Sequence, residues 1–361
     1  MKIGIANAQS LDNIYQIIQN YTNYEIIWTA NNGVEALQQC ILRTPDLVII
    51  DLIMPIMDGV EATQQIMRHA PCAVLIIAPT VKEHSANVFK AMGYGALDAV
   101  DEPSLSSETL LDQQTRETFL KKLRTLAKWH GLPTTPKKPV DTFSLNKLKN
   151  NLQNFPVYRT NPLLPKLVVI GSSTGGPKAL AKILACLSPA LKASVVIIQH
   201  VDAEFSISLA RWLDAQVPMD VQLAIAGDSP KAGNIYVAST NDHLVLTRSA
   251  KFIYTKDPEY IPYRPSVDVF FKSVAQCWAS PCIAVLLTGM GKDGAEGLAT
   301  LRQAGWHTIA QDEASSTVYG MPKAAKELGA ATEILSLNCI GDHISKLLER
   351  NETTSVVKGE S

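Results

Sequence analysis

Short apolar runs alternate with amphipathic segments over residues 1–130 of the chain. Such runs, bounded by polar residues, predict buried strands, and the segments between them, such as 33–42 and 59–69, predict helices. Strands that alternate with helices favour a parallel sheet that is covered by helices on both faces. The predicted strands are 3–6, 25–30, 47–51, 73–78 and 97–100.

The same alternation returns in residues 166–348, which we predict to form a second α/β domain. Thr240-Asn241-Asp242 separates two of its apolar runs, 235–238 and 243–247, and favours a β-hairpin between them. We therefore predict a doubly wound domain with a mixed sheet and a hairpin insertion. The predicted strands are 167–170, 195–199, 235–238, 243–247 and 283–287.

A proline-rich polar segment separates these two parts of the chain. Six prolines fall between residues 133 and 165, with Thr, Lys, Asn and Gln among them. We interpret 131–165 as an interdomain linker, and its composition contrasts with the apolar stripe of a predicted helix at 108–128. The predicted domains are therefore 1–130 and 166–348, and a flexible tail is predicted at 349–361.

Composition narrows the classes of function. The 361 residues suggest about two domains, and a net charge of −1 without a basic stripe argues against a nucleic-acid partner. No apolar segment is long enough to span a bilayer and the first residues do not form a signal peptide, so we expect a cytoplasmic protein without membrane insertion. The six cysteines lack a C-x-x-C pair, which indicates buried reduced thiols, not disulfides or a zinc site.

A glycine-rich turn, residues 171–176, lies between a predicted strand and a predicted helix at 178–185. Pro177 suits the first turn of that helix. A G-x-S-x-G pattern in this position is typical of a nucleophile elbow, which would expose the Ser173 hydroxyl on a strained turn. A phosphate cradle at a helix N-terminus, or an ordinary βα turn, would have a similar sequence, and the motif alone favours none of these.

Two further side chains follow the carboxyl ends of predicted strands: His200 and Asp293. A serine hydroxyl needs an imidazole to take its proton and an acid to hold that imidazole in the right tautomer. Strands of an open parallel sheet present their carboxyl ends at one edge, where ligands bind. We therefore predict that Ser173, His200 and Asp293 converge at this edge.

Other assignments stay open at this point. The order Ser…His…Asp differs from that of the α/β-hydrolases, in which the base follows the acid and would be His243, His307 or His343. His343 lies in a predicted surface helix, which makes it a poor candidate. For His243 there are two alternatives, a residue that lines the pocket or an edge-strand residue without a role, and the second is favoured because no spacing rule selects His243. The turn 289–294 also matches G-x-G-x-x-G, although no acidic residue is placed for a ribose.

Several further motifs follow one another along the chain: Gly-Ser-Ser-Thr-Gly-Gly-Pro at 171–177, Ile-Gln-His at 198–200, Tyr-Arg-Pro-Ser-Val-Asp at 263–268, Leu-Thr-Gly-Met-Gly-Lys-Asp-Gly at 287–294, Ile-Ala-Gln-Asp-Glu-Ala-Ser at 309–315 and Tyr-Gly-Met-Pro at 319–322. In sequence and order they resemble the motifs of the chemotaxis protein-glutamate methylesterase family. That family joins a response-regulator receiver to an esterase domain, so the resemblance implies a flavodoxin-like receiver in the first part of the chain. One departure is Ile261-Pro262-Tyr263, where the family commonly carries Asn-x-His.

The resemblance implies a serine hydrolase that cleaves glutamate γ-methyl esters, and in some members deamidates glutamines, on methyl-accepting chemoreceptors during adaptation. It makes Ser173 the nucleophile, His200 the general base and Asp293 the orienting acid. Met290 and Thr174 would bind the oxyanion or substrate. We expect no metal and no catalytic cofactor. The implied partners are the cytoplasmic domains of the receptors and, as a further candidate, a chemotaxis-type histidine kinase.

Residues 45–59 resemble the phosphoacceptor segment of a receiver, with Asp51 as the acceptor. Receivers of this type also use an acidic pair, a hydroxyl and a lysine, and the residues at these positions are 7–9 (Asn-Ala-Gln), Ala78 and Glu102. Mg²⁺ favours carboxylate ligands, and Glu102 would repel a phosphoryl group. We therefore predict a degenerate receiver that binds no Mg²⁺, is not phosphorylated by the usual route, and acts as a docking or constitutively set module.

Two other functions compete with the receptor methylesterase. A catalytically silent adaptor that binds receptor tails would not need the Ser…His…Asp set. A general α/β-hydrolase acting on small esters would depend on His243 or His307 in place of His200.

Overall fold

The structure, a computed structural model, describes residues 1–7, 10–105, 109–129, 164–190, 192–261, 263–278 and 283–356. The predicted linker lies outside the described residues except for Leu164 and Pro165, and so does the end of the predicted tail, 357–361. Within the described ranges, no helix is both long and apolar enough to cross a membrane.

The first domain is a five-stranded parallel sheet in the order β2-β1-β3-β4-β5. This is the flavodoxin-like order, as the resemblance implied. Three predicted strands have the observed bounds, and the fifth begins one residue later than predicted. The elements are β1 (Lys2–Ala6), α1 (Leu11–Tyr21), β2 (Glu25–Ala30), α2 (Gly33–Leu42), β3 (Leu47–Asp51), α3 (Gly59–His69), β4 (Ala73–Ala78), α4 (Ser85–Tyr94), β5 (Asp98–Asp101) and α5 (Leu110–Trp129).

The helix starts of this domain follow from local chemistry. Asp58 precedes α3 and its side chain accepts the Glu61 N–H at 2.8 Å. Asn32 precedes α2 and accepts the Glu35 N–H at 3.0 Å. Short polar side chains at these positions satisfy N–H groups that the helix leaves without a partner. Because α3 begins shortly after β3, the residue that ends β3, Asp51, lies at the carboxyl edge of the sheet.

The second domain contains a seven-stranded sheet in the order β14-β13-β12-β6-β7-β9-β8. The first strand along the chain, β6, is the central strand, and β7, β8 and β9 lie on one side of it. The later strands β12, β13 and β14 lie on the other side. Such a reversal is the switch point at which open α/β sheets bind ligands. The elements are β6 (Lys166–Ser172), α6 (Gly176–Leu184), β7 (Ala193–Gln199), α7 (Ala203–Asp214), β8 (Asp220–Leu223), β9 (Asn234–Val237), β10 (His243–Leu246), β11 (Phe252–Thr255), α8 (Val267–Cys277), β12 (Ile283–Leu286), α9 (Ala295–Gln303), β13 (His307–Gln311), α10 (Met321–Glu327), β14 (Glu333–Leu335) and α11 (Leu337–Val356).

The hairpin insertion exists, but the predicted pairing of its strands is wrong. β9 pairs in parallel with β7 and β8 inside the main sheet. The antiparallel hairpin is formed by β10 and β11, which make a separate two-stranded sheet. The pairings in the main sheet are parallel, so that sheet is not mixed. The last helix, α11, also continues to Val356, into the segment predicted as a tail.

Cysteine burial also differs from the prediction. Five cysteines lie in the described residues and are free. Cys40 is buried, but Cys186 and Cys339 are exposed, so the expectation of general burial is wrong. Cys186 lies just after α6 and Cys339 lies in α11, each among apolar residues. Which face of a helix is buried depends on the elements packed against it, and these two side chains lie on uncovered faces.

The two domains pack against each other through α4 of the first domain and α6 and α7 of the second. One continuous cluster of buried apolar side chains includes Phe89 of α4 and Leu180 of α6. The ring centroids of Phe89 and Trp212 lie 5.8 Å apart. The Lys178 ammonium lies 4.8 Å from the centroid of the Tyr94 ring. The domains therefore share a core and do not only touch at their surfaces.

An ion pair that involves a buried lysine crosses the same interface. Lys122 of α5, whose side chain is 7% exposed, lies 2.8 Å from Asp98 of its own domain and 3.0 Å from Asp202 of the second domain. Its Nζ also donates to the Ala99 carbonyl at 2.7 Å. Burial opposes the charge on Lys122, but the two carboxylates outweigh it and raise the pKa of this lysine.

We expect Lys122→Met to destabilise the protein by about 2 kcal/mol, because it leaves the partly buried Asp98 carboxylate without its cation. Thermal unfolding of the full chain measures this as a lower Tm. Lys90→Met, at an exposed lysine of α4, is the matched control and should leave Tm nearly unchanged. An equal Tm for the two variants would contradict the importance of this ion pair.

Candidate active site

Ser173 lies on the turn between β6 and α6, and it is 5% exposed. Gly175 precedes α6 with a φ of 78°, in the left-handed region that favours glycine. A Cβ at Gly175 would also lie 2.4 Å from the Thr317 hydroxyl oxygen, so a larger residue does not fit. The strand–turn–helix arrangement expected of a nucleophile elbow is therefore present at Ser173. The predicted exposure of Ser173 on a strained turn is wrong in this arrangement, because the residue is buried and its own φ is not positive.

The neighbouring Ser172 has a different role in the structure. It is fully buried, and its hydroxyl donates to Gln199 Oε1 at 2.6 Å. The Gln199 amide donates in turn to the Ser173 carbonyl at 2.9 Å. The Ser172 and Gln199 side chains thus connect β7 to the turn, and their hydrogen bonds satisfy the buried Ser172 hydroxyl and the Ser173 carbonyl.

His200 follows β7 and lies beside the turn of Ser173. Ser172 is paired with Gln199 across the two strands, and the His200 N–H donates to the Ser172 carbonyl at 3.1 Å. His200 Nε2 lies 2.8 Å from Asp293 Oδ2. His200 Nδ1 is buried and has no hydrogen-bond partner among the described residues. No hydrogen bond joins the described side chains of Ser173 and His200.

Asp293 is held by a set of donors that surrounds its carboxylate. It accepts from His200, from the Ser266 hydroxyl at 2.8 Å and from the Val267 N–H at 2.7 Å. The Asp268 N–H donates to it at 3.2 Å. Burial by itself would raise the pKa of Asp293, but these hydrogen bonds and the His200 ring outweigh it and lower that pKa. The group is therefore a carboxylate that fixes the orientation of the imidazole.

Two aromatic side chains surround the His200–Asp293 pair. The Tyr263 ring stacks on the His200 ring with centroids 4.8 Å apart and an interplanar angle of 3°. His243 is fully buried behind the pair, and its Nδ1 accepts the Ser266 N–H at 3.1 Å. Burial lowers the pKa of His243, so this ring is neutral and supports Ser266.

The other candidate histidines lie elsewhere. His307 begins β13, at the amino-terminal edge of the sheet, whereas Ser173 follows the carboxyl end of β6. His343 lies in α11. The structure therefore brings His200, and neither of these rings, to Asp293.

The loop after β12 completes the site. A Cβ on Gly289 would lie 2.7 Å from Ser173 Cβ, so this loop passes directly over the turn. None of the hydrogen bonds in the described part of the chain uses the Met290 N–H. The Thr174 hydroxyl is buried and likewise makes no hydrogen bond with a described residue. Two donors beside a serine and an imidazole can bind the oxygen of a reacting carbonyl.

Comparison with known proteins places both parts of the chain in known families. Residues 168–344 match the family model for CheB methylesterase, and residues 7–113 match that for the response regulator receiver domain. A protein-glutamate methylesterase/protein-glutamine glutaminase from Cupriavidus metallidurans is 45% identical over 95% of this chain and 97% of its own length. The chain belongs to the CheB methylesterase family.

A second relative of the same name, from Pseudomonas aeruginosa, is 41% identical over 97% of this chain and 100% of its own length. Among solved structures, the CheB methylesterase catalytic domain of Thermotoga maritima is 37% identical and aligns with a TM-score of 0.49. That alignment covers 51% of this chain and 100% of the Thermotoga maritima domain. Membership of the CheB family, with both of its domains, thus covers nearly the whole chain.

Sequence reasoning missed three residues that shape this CheB-type site: Gln199, Tyr263 and Ser266. All three lie inside the motifs that carry the resemblance, but no spacing rule assigned a role to any of them. Ser266 had a usable signal, because a serine just before an apolar helical run is a helix N-cap, and its side chain does accept the Val269 N–H.

The positions at which the sequence departs from the receiver pattern lie near Asp51 in the first domain of this CheB-family member. Asn7 directly follows β1, and β1 pairs with β3, which ends at Asp51. Ala78 ends β4, which pairs with β3 on its other side. The Glu102 N–H donates to the Ala78 carbonyl at 2.8 Å, so Glu102 lies at the same edge. These diverged positions therefore surround one point, apart from residues 8 and 9, which lie outside the described residues.

Asp268, next to Asp293 in the CheB-type site, supplies a pH test of its packing. Its carboxylate accepts the Gly297 N–H at 2.6 Å. Burial, and then the charge of Asp293, raise the pKa of Asp268 from 3.8 to about 6. Between these two values the folded protein binds this proton more tightly than the unfolded chain, so stability falls as the pH rises through about 6.

We therefore expect Asp268→Asn, which keeps the Oδ1 acceptor, to be more stable than the wild type at pH 8 by up to about 3 kcal/mol, and to differ little at pH 4. Unfolding of both proteins across this range measures the difference. Asp220→Asn, at an exposed strand position, is the control and should show no such trend. A stability difference that does not change with pH would contradict the raised pKa.

Proposed function

We propose that this protein hydrolyses glutamate γ-methyl esters on the cytoplasmic domains of chemoreceptors by a Ser-His-Asp mechanism. One observation carries the proposal: His200 Nε2 lies 2.8 Å from Asp293 Oδ2. His200 directly follows β7, the strand that pairs with β6, and Ser173 directly follows β6. The relatives named protein-glutamate methylesterase/protein-glutamine glutaminase support the choice of substrate. A silent adaptor is disfavoured, because it would have no use for a buried, fully hydrogen-bonded Asp293.

The proposed first step is acylation of the serine. The Asp293 carboxylate accepts a hydrogen bond from the protonated Nε2 of His200, and this tautomer leaves the lone pair on Nδ1. Nδ1 takes the proton of the Ser173 hydroxyl while Ser173 Oγ bonds to the ester carbonyl carbon. The resulting oxyanion accepts hydrogen bonds from the Met290 N–H and from Thr174, and one such donor is worth about 3 kcal/mol.

The tetrahedral intermediate then loses its methoxy group. His200 returns the proton to the leaving oxygen, and methanol departs from the acyl-enzyme. A water molecule repeats the attack, with His200 again as the base, and releases the glutamate carboxylate. The balance is ester plus water to carboxylate plus methanol, so the proposed reaction requires no cofactor. A glutamine amide could follow the same path with ammonia as the leaving group.

Ser173→Ala should reduce methanol release from methylated receptor membranes by about 10³-fold or more, because the acyl-enzyme cannot form. Ser249→Ala, at an exposed serine, is the matched control and should retain activity. Circular dichroism and Tm establish that both variants fold. Equal methanol release by the Ser173 variant and the wild type would refute the mechanism, and activity confined to small esters would refute the substrate.

The first domain, in our proposal, regulates access to the site without the usual phosphorylation. Ser173 and Asp293 are each 5% exposed in this arrangement. Met290 packs against the apolar cluster of the first domain, which contains Ile77 and Val100. Substrate therefore has to displace this contact, and the loss of the acidic pair, hydroxyl and lysine around Asp51 leaves phosphorylation poorly supported.

Small phosphodonors with Mg²⁺ should therefore place no acyl-phosphate on Asp51 and should leave methanol release unchanged. Intact-mass analysis after incubation measures the modification. The double variant Asn7→Asp with Glu102→Lys restores two of the missing groups and should gain sensitivity to the phosphodonor. A Mg²⁺-dependent acyl-phosphate on the wild-type Asp51 would contradict the proposal of a degenerate receiver.

A further inference from the structure

A cluster of two histidines and one glutamate lies far from the active site, at the opposite edge of the catalytic sheet. His307 and Glu333 are the first residues of β13 and β14, and His343 lies in α11. His343 Nε2 is 2.8 Å from one Glu333 carboxylate oxygen, and His307 Nε2 is 3.5 Å from the other. The two imidazole centroids are 5.8 Å apart. Three ligand atoms therefore point to one region.

The nitrogen atoms that face Glu333 are not otherwise used. Nε2 of His307 and Nε2 of His343 are both buried. Their approaches to Glu333 lack hydrogen-bond geometry, and neither nitrogen has a hydrogen-bond partner among the residues that the structure describes. Two neutral imidazoles and a carboxylate would present only lone pairs to their common centre. A single proton can satisfy one of the two histidines, whereas a divalent cation can satisfy all three side chains at once.

We propose that His307, Glu333 and His343 bind Zn²⁺ and that the metal ties α11 to the edge of the catalytic sheet. Two imidazole nitrogens and a carboxylate are a common zinc ligand set, with water as the fourth ligand. Mg²⁺ and Ca²⁺ favour all-oxygen sites, so this set selects against them.

The distances fit such a site after a small adjustment. Zinc holds nitrogen and carboxylate oxygen at about 2.0–2.2 Å, which places tetrahedral ligands about 3.4 Å apart. The three ligand atoms lie within 4.8 Å of one another, so side-chain movements of about 1 Å close the site. All three side chains are between 27% and 34% exposed, which leaves a route for the ion and room for water.

The backbone holds the ligands in place before any metal arrives. β13 and β14 pair in parallel with Ile309 opposite Glu333. His307 and Ile309 are alternate residues of β13 and share one face of the sheet. His307 therefore lies on the same face as Glu333, two residues before Ile309. Thr308 and Thr332 bond to each other through backbone and side chains and lock this register. The α11 helix packs on β13 and brings His343 to that face.

The position indicates a stabilising metal and not a catalytic one. The cluster is at the amino-terminal edge of the sheet, and Ser173 is at the carboxyl edge. The helix that zinc would secure, α11, packs against α6, which begins directly behind the Ser173 turn. Zinc would therefore raise stability and leave the basal esterase chemistry unchanged. The sequence predicted no metal site, because the three residues are far apart along the chain and follow no metal-ligand spacing.

Equilibrium dialysis of the purified full chain against Zn²⁺, followed by metal analysis, tests the site. We expect one zinc per wild-type chain and a Tm that rises by several degrees with zinc. The double variant His307→Ala with His343→Ala should lose both effects. His69→Ala, at an exposed histidine, is the matched control and should keep both.

Two further variants distinguish zinc held by this cluster from zinc held by the exposed cysteines. Glu333→Gln preserves the shape of the side chain and should weaken zinc binding at least tenfold. This variant tests the site independently of whether the double alanine variant folds. Cys186→Ser with Cys339→Ser removes the exposed thiols and should leave zinc binding intact. Zinc bound equally by the wild type and the Glu333 variant, zinc lost with the thiols, or no zinc bound by the wild type would each overturn the proposal.

Discussion

The active-site architecture depends on one buried carboxylate. Asp293 has almost no access to solvent that would hydrate its charge, so the protein must supply donors, and it does so from two directions. One side is His200. The other is the start of α8, where Ser266, Val267 and Asp268 all donate to the carboxylate. The first N–H groups of a helix have no partner within it and carry a partial positive charge, so this helix start is a natural anion site.

That constraint connects distant parts of the chain. The helix that begins after Ser266 can hold Asp293 only if the β12 loop lies over β6, and the small residues of both segments allow this approach. A Cβ on Gly171 or on Gly294 would each come within 2.7 Å of the Val267 side chain. Orientation of His200 is thus a consequence of how α8 packs on the central strands, and not of local turn chemistry alone. The same packing buries His243 and leaves it as support for Ser266.

Much of this organisation could be predicted from the pattern of apolar residues. Strands such as β3 and β4 are buried on both faces, so their sequences are continuously apolar and their bounds are easy to read. Four strands were missed. Two of them, β8 and β14, lie at the edges of the sheet and are only partly buried. The other two are β11, which lies in the separate hairpin, and β13, which is a buried strand inside the sheet. The hairpin was assigned to β9 because the polar turn at 240–242 is a local signal, whereas the pairing of β9 with β7 is decided by the whole sheet.

The candidate site shows the same division. Ser173, His200 and Asp293 follow strand ends, so topology alone predicts that they converge. Gln199 and Ser266 act through hydrogen bonds from a strand interior and a helix cap, which leave no spacing rule in the sequence. Met290 could be placed near the serine, but its contact with the first domain depends on how two separately folded sheets meet.

The interdomain contact then limits how this enzyme can be controlled. If Asp51 takes no phosphate, the equilibrium shifts from packed to separated domains only when a ligand binds the separated state more tightly than the packed state. In the proposed function, a receptor segment that enters the site is such a ligand, because it has to displace the Met290 contact to reach Ser173. The interface is stabilised by the Lys122–Asp202 pair and by the shared apolar core, so only a fraction of the molecules is open. The apparent affinity for the receptor is therefore the affinity of the open state multiplied by that fraction. A partner that binds the first domain at this face would raise that fraction without any covalent change, which is how a receiver that accepts no phosphoryl group can still regulate the esterase.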